Sequence, residues 1–348
     1  MPELRKNPIT REWVIIATER GKRPNDFRSE SKAPPPAHSP TCPFCPGNEA
    51  LTPPEVLAFR EAGTAPNTPG WWVRVVPNKY PALAIEGALN KAPRGMYDSM
   101  NGVGAHEVII ETPEHDQSIA KLSIKGVEDV LWACRSRYLD LKQDPRLKYV
   151  LIFRNHGAVA GASLEHPHSH LIATPMVPKT VMEELEGAER YEQYRDRCIY
   201  CDIVRQELDS GERVIARNAD FLALEPFASQ YPFETWIIPK EHIASFANVN
   251  EQQQHNFAAI LKETMLRIQI CLNDPPYNYM LHTAPCGQDD ENRFHWHLEI
   301  APRLAITAGF EMGTGIYINV TPPELAAQYL REVTIPSEQV VEVEPTRA

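Results

Sequence analysis

The sequence predicts an α+β fold made of two related halves, each an antiparallel sheet with packed helices. Three observations predict it. First, landmarks recur in one order: a Cys-x-x-Cys pair (Cys42/Cys45, then Cys198/Cys201), a histidine closing a strand-like run (His115, then His242), and a His-x-His on a further strand (His166/His168, then His295/His297). The second and third landmarks lie 51 residues apart in the first half and 53 in the second. Second, each half carries one long helical pattern between those landmarks. Third, strand-like segments outnumber helical ones and several end in Pro- or Gly-rich turns, which favours antiparallel sheets with helices packed on one side.

Taken in order, the Pro-rich stretch SKAPPPAHSPT before Cys42 reads as an extended loop. VGAHEVIIET is a strand leading to His115. Val127, Val130, Leu131, Cys134, Tyr138 and Leu141 then recur at helical spacing and define a buried stripe. KYVLIFRN and SHLIATPMV are strands. The second half repeats the plan with strand FETWIIPK, a helical stripe of Phe257, Ile260, Leu261, Met265, Ile268 and Leu272, and strands YNYMLHTA and FHWHLEIA. The expected division is residues 1–190 and 191–336, with 337–348 a poorly ordered tail.

Composition bounds the setting. At 348 residues the chain exceeds a usual single domain. Its 46 acidic residues outnumber 35 basic ones for a net charge of -11, which argues against a nucleic-acid partner. No apolar run reaches membrane-spanning length, and MPELRKNPITREW lacks the apolar core of a signal peptide, so a cytoplasmic protein is expected. Four of the seven cysteines lie in the two Cys-x-x-Cys pairs, a pattern suited to metal binding in a reducing compartment.

The run Glu165-His166-Pro167-His168-Ser169-His170 carries the chemistry. In an extended segment alternate side chains share a face, so three imidazoles should project one way, with Pro167 and Ser169 opposite. Such a row suits nucleotidyl transfer through a covalent intermediate. A neutral imidazole attacks an activated phosphorus and then hands the group on. The ring needs one nitrogen protonated and held by a fixed acceptor. It also needs neighbouring donors for the phosphoryl oxygens, each worth roughly 3–4 kcal/mol in comparable sites. His168 is the expected nucleophile; His170 and Ser163 are the expected donors. Cys42, Cys45, His115 and His166 offer a closed tetrahedral zinc site, and Cys198, Cys201 and His242 with His295 or His297 offer a second. Two structural zinc ions per chain are therefore expected, positioning the nucleophile without direct part in the chemistry.

The order Cys-x-x-Cys, Pro-Glu-His, Asn-x-Gly, Ser-x-x-His-Pro-His, Pro-Phe-Glu-Thr, His-Thr-Ala-Pro, His-x-His, Gly-Phe-Glu resembles the galactose-1-phosphate uridylyltransferase family of the histidine triad superfamily. The resemblance runs from Lys22-Arg23-Pro24 to Gly309-Phe310-Glu311 and implies two fused histidine-triad-like halves. NDPPYNYMLHTAP and GFEMGTGIYIN look most like the adenylyl-transferring branch, of ADP-glucose phosphorylase type. It implies that His168 is the nucleotidylated residue, with Ser163 and Asn155 beside the phosphate and Arg20, Arg23 and Asn78 near the nucleotide. It makes His115 and His166 zinc ligands beside Cys42 and Cys45. In the second half it leaves two patterns: zinc on Cys198, Cys201, His242 and His295, favoured here, or iron on Glu184, His282, His295 and His297. It also implies a homodimer with the active site between subunits.

Two departures stand out. His170 replaces the uridylyltransferases' glutamine, as in the nucleotide-hydrolysing relatives, and Ala305 stands where a hexose-phosphate enzyme has lysine. The expected activity is ping-pong transfer between a nucleotide donor and a phosphate-bearing acceptor, with UDP-glucose and galactose 1-phosphate the default pair by family weight. The alternatives are adenylyl transfer from ADP-glucose or adenylylsulfate to phosphate, a histidine-triad nucleotide hydrolase and, least favoured, a zinc-binding module without catalysis.

Overall fold

In the computed structural model, residues 1–21, 23–27, 35–288 and 294–336 are described. The first strands are β1 (Glu3–Lys6), β2 (Trp13–Ile16), β3 (Leu57–Arg60), β4 (Trp71–Pro77), β5 (Ala92–Arg94), β6 (Tyr97–Ser99) and β7 (Ala105–Ile110). Helix α1 (Ile124–Leu141), strands β8 (Tyr149–His156) and β9 (His168–Thr174), and helices α2 (Lys179–Arg195) and α3 (Ile199–Ser210) follow. The second half continues with β10 (Val214–Arg217), β11 (Phe221–Leu224), β12 (Thr235–Pro239), α4 (Glu251–Leu272), β13 (Tyr277–His282) and β14 (His297–Pro302). The chain closes with α5 (Gly309–Thr314), β15 (Tyr317–Asn319) and α6 (Pro323–Arg331).

The repeat in the sequence is a repeat in topology. Strands β3, β4, β7, β8 and β9 with α1 between the third and fourth match β10, β11, β12, β13 and β14 with α4 in the same place. The two half-sheets are joined: β8 pairs antiparallel with β13, giving one ten-stranded sheet in the order β10-β11-β12-β14-β13-β8-β9-β7-β4-β3. Two separate half-sheets would each leave an unpaired edge at β8 and β13; the seam removes both.

The helical stripes behave as patterned. All six stripe residues of α1 and all six of α4 are buried, and the two helices pack on each other across one face of the sheet. Each such side chain contributes about 1.5–3 kcal/mol by leaving water. Local signals start them: the Ser123 hydroxyl accepts from Gly126 N–H at 3.0 Å, and Asn250 and Gln253 form a reciprocal capping box. Each cap is worth about 1 kcal/mol. Helices α2 and α3 lie between the halves, so the expected 190/191 division falls within α2. The described part of the Pro-rich stretch, residues 35–41, is loop. The expected tail, 337–348, lies outside the described residues.

The N-terminus belongs structurally with the second half. Strand β2 pairs parallel with β15, Ala17 N–H donates to the Asn319 carbonyl at 2.8 Å, and Arg5 meets Glu324 of α6 at 2.8 Å. Phe27 packs edge-on against Phe233. The segment bearing Arg20 and Arg23 is thereby tied to the half that does not carry the histidine row.

Candidate active site and metal centres

Strand β9 begins at His168, so the expected alternation holds for His168 to His170 while His166 stands ahead of the strand. His168 and His170 share one face with ring centroids 5.0 Å apart, and Ser169 lies on the other. His168 is almost fully buried, and its Nδ1–H donates to the His166 carbonyl at 2.7 Å. That bond fixes the tautomer and leaves the Nε2 lone pair free, which is the state a nucleophilic imidazole needs. Burial pushes the His168 pKa down to about 4; the carbonyl bond opposes this and Arg154 adds to it. The ring is neutral at physiological pH. Phe44, the aromatic residue of Cys-Pro-Phe-Cys, packs edge-on to His168 at 5.2 Å.

His170 is wedged between two aromatic partners. Phe153, opposite it on β8, stacks at 5.1 Å with an interplanar angle of 16°. His106 of β7 places its Nε2 3.3 Å from His170 Nδ1. Burial, then the neighbouring His168 and His106, bring His170 down to about 3. Asn78 reaches this group through His106, its Nδ2 lying 3.1 Å from His106 Nε2. Asn155 lies on β8 two residues beyond Phe153 and accepts from Asn278 Nδ2 at 2.8 Å. Ser163 is exposed in the loop before β9, and Arg23 is exposed at the head of a short 3-10 turn. Among the described residues, no hydrogen bond joins either one to His168. Arg20 sits in the 3-10 turn Thr18–Arg20.

Beneath β9 lies a buried polar network that the sequence reading missed. Arg154 is paired with Glu111 Oε2, the Ser169 hydroxyl donates to Glu111 Oε1 at 2.6 Å, and Tyr279 OH lies 2.6 Å from Ser169 Oγ. Glu111 N–H donates to the Pro167 carbonyl at 3.2 Å. Both chain neighbours of His168 are thus held, Ser169 through its side chain from below and Pro167 through its carbonyl from the side of β7. The available signal was a charged residue closing each apolar run, Glu111 after Val108-Ile109-Ile110 and Arg154 after Val150-Leu151-Ile152-Phe153.

Cys42, Cys45, His115 and His166 converge as one buried cluster. His166 Nε2–H donates to the Thr112 carbonyl at 2.8 Å, so its Nδ1 lone pair faces His115 Nδ1 at 3.3 Å and Cys45 Sγ at 3.6 Å. A tetrahedral zinc ion would set such edges at about 3.3 Å between nitrogens and about 3.6 Å between nitrogen and sulfur. Ring lone pairs and thiols facing one another across these distances call for a cation, and the donor set fits zinc. The carbonyl partner of His166 is the orienting contact that ligating histidines carry. Since His166 also accepts from His168, the cluster and the nucleophile are joined through one residue.

The second Cys-x-x-Cys repeats this. Cys198, Cys201, His242 and His295 converge, with Cys201 Sγ 3.5 Å from His242 Nδ1 and 3.6 Å from His295 Nδ1. His295 Nε2–H donates to the Pro239 carbonyl at 2.9 Å, as His166 does to Thr112. Of the two expected alternatives at this position, His295 joins the cysteines.

His297 joins a different group, Glu184, His282 and Glu299. His282 Nδ1 is 2.9 Å from Glu184 and His297 Nε2 is 3.5 Å from Glu299. Burial alone would lower the His282 pKa, but the carboxylates Glu184 and Glu299 raise it to about 9. The zinc-type and iron-type patterns of the second half are therefore separate clusters, with Glu299 completing the latter where His295 was expected. On β14, His297 and Glu299 occupy the places that His168 and His170 hold on β9, so the second half lacks a third histidine in its row.

Comparison with known proteins agrees with this construction. The family model for the N-terminal domain of galactose-1-phosphate uridyl transferase matches residues 1–178, and that for its C-terminal domain matches 184–337. ADP-glucose phosphorylase of Arabidopsis thaliana is 39% identical over 338 residues, covering 96% of this chain and 93% of that protein. Galactose-1-phosphate uridylyltransferase of Thermotoga maritima is 30% identical over 347 residues, covering 96% and 99%. A crystal structure of the Arabidopsis thaliana ADP-glucose phosphorylase with bound ADP-glucose superposes with a TM-score of 0.81 at 38% identity, covering 96% of this chain and all of that one.

Proposed function

Because the chain belongs to the galactose-1-phosphate uridylyltransferase family and is a nucleotidyltransferase, we propose that it moves AMP from ADP-glucose to inorganic phosphate through adenylyl-His168. One observation carries the choice of nucleotide. At nearly the same coverage, identity to the ADP-glucose phosphorylase exceeds identity to the first of the uridylyltransferases, 39% against 30%. This reverses the order set by family weight, in which UDP-glucose and galactose 1-phosphate came first. The exposed Ala305, in place of a lysine, points the same way.

In the first half-reaction His168 Nε2 attacks the α-phosphorus, the N–P bond forms, and the bond to the glucose 1-phosphate oxygen breaks with its electrons. In the second, a phosphate oxygen attacks the same phosphorus and Nε2 departs with the N–P electrons, giving ADP. His170 and Ser163 donate to the non-bridging oxygens, Asn155 lies beside the phosphate, and Asn78 approaches the nucleotide. Zinc on the first cluster would hold His166, and through its carbonyl His168, while four protein ligands leave no open position. The second cysteine cluster is assigned zinc as well.

Arg20 and Arg23 are assigned to the nucleotide site of a second copy of the chain. Their segment packs on the second half, away from β9 in sequence and contact, and this supports a homodimer with composite sites. Among the described residues, no helix is long and apolar enough to cross a membrane.

The test is initial rates with ADP-glucose plus phosphate and with UDP-glucose plus galactose 1-phosphate. A kcat/KM at least tenfold higher for the first pair is expected. Preference for the second pair would return the protein to the uridylyl branch. Turnover of ADP-glucose to free AMP without phosphate would make it a hydrolase.

A further inference from the structure

His106, which lies outside the residues assigned above, has contacts that constrain where protons sit in the histidine row. We propose that His106 is a positioning residue that fixes the tautomer of His170, so that His170 presents its Nε2–H as a neutral donor toward the transferred phosphate. The inference rests on the nucleotidyl-transfer reading for what that donor does, and on geometry alone for which nitrogen carries the proton.

One neighbour of His106 has only one possible role. The backbone N–H of Ala82 lies 3.2 Å from His106 Nδ1 and can only donate. Nδ1 therefore carries the lone pair, and the proton of the neutral ring is on Nε2. His106 Nε2 is 3.3 Å from His170 Nδ1, so it donates there, and the remaining proton of His170 must sit on its own Nε2. Asn78 also faces His106 Nε2, at 3.1 Å through its Nδ2, because its Oδ1 is taken by the Tyr80 N–H at 2.9 Å. Were Asn78 to donate to that nitrogen, the His106 proton would move to Nδ1 and oppose the Ala82 amide, setting two donors face to face. The chosen tautomer sets the Nε2–H against Asn78 Nδ2 in the same way, but the Asn78 side chain can rotate to relieve that opposition and give its hydrogens to another acceptor, whereas the backbone amide of Ala82 cannot turn.

Two features make this arrangement directional. Strand register sets Val108 of β7 opposite His170, which places His106 diagonally beside it on the same face. Phe153 stacks on His170 and holds its plane. Burial lowers the His106 pKa, in keeping with a neutral ring. An imidazole locked in this form offers one N–H and no proton to release, like a glutamine amide. His106 thus accounts for how a histidine can stand where the uridylyltransferases carry glutamine.

The test joins spectroscopy to a mutant cycle. Ring-nitrogen NMR of the 15N-labelled full chain, with the His170 signals identified by their loss in His170→Gln, should show a protonated Nε2 and an unprotonated Nδ1. In His106→Phe the His170 ring should become a mixture of tautomers. A wild-type His170 protonated on Nδ1, or an unchanged tautomer in His106→Phe, overturns the proposal whether or not any donor turns over. In turnover, His106→Phe should lower kcat about 10–100-fold with little change in KM, the range typical of orienting partners. His106→Gln, whose carboxamide offers an acceptor and a donor on one edge, should recover most of that loss. In a His170→Gln background the further effect of His106→Phe should shrink to about twofold, because a carboxamide has no tautomer to fix. Equal losses in both backgrounds would mean that His106 merely supports the strand and would overturn the inference. Failure of every donor in the wild type would refute the transfer reading and leave the tautomer measurement to decide this one.

Discussion

Replacing Glu111 by glutamine should destabilise the protein by about 3–5 kcal/mol while barely changing its shape. Glu111 and Arg154 are 1% and 2% exposed, so neither has water to fall back on. The carboxylate holds the Arg154 guanidinium with one oxygen and the Ser169 hydroxyl, at 2.6 Å, with the other. An amide of the same size retains one acceptor but no charge. It therefore loses a charge-assisted bond worth about 1.5–3 kcal/mol and leaves a buried cation uncompensated. The assay is urea unfolding at neutral pH, comparing midpoints at constant slope. Because Ser169 separates His168 from His170, kcat should fall as well. The double variant Glu111→Leu/Arg154→Met removes both charges and should recover most of the stability. A single-variant loss below about 1 kcal/mol, or a double variant less stable than the single, would refute the view that this pair supports the histidine row.

Two further outcomes follow from the geometry. The His170 pKa is depressed to about 3, below the roughly 6.5 of an unfolded histidine, so its stabilising share is present above about pH 6.5 and lost as pH falls toward 3. Wild type should lose stability relative to His170→Gln over that window, and parallel stability-pH curves would contradict the assignment. Elemental analysis should find about two zinc ions per chain, and Cys45→Ser should remove about one with a fall in both melting temperature and kcat, since His166 links that cluster to His168. A variant that keeps full metal content would contradict the assignment of the first cluster.

What the sequence made legible was what chemistry forces to be local. The alternation of His168 and His170 announced a strand face, each Cys-x-x-Cys pair announced a Cys/His cluster, and the helical stripes of α1 and α4 are buried as patterned, whereas His166 stands ahead of β9 within the first cluster. Contacts made across the sheet were not legible. Nothing in KYVLIFRN or YNYMLHTA states that β8 and β13 pair, because each run is equally satisfied by a partner within its own half. The division of His295, which meets Cys201 of α3, from His297, which joins Glu184 of α2, depends on where those two helices dock. His106 lay unnoticed in HEVIIET because its meaning comes from Ala82 and His170, brought to it by a turn and a strand register.

His168 is the residue proposed to carry the nucleotide. Brief incubation with ADP-glucose in the absence of phosphate, followed by intact mass measurement at neutral pH, should show one adenylyl group gained by wild type, mapped to His168. The adduct should be discharged to ADP on adding phosphate and be absent in His168→Ala. An adduct that persists in His168→Ala, or wild-type turnover in which no adduct forms, would contradict the account.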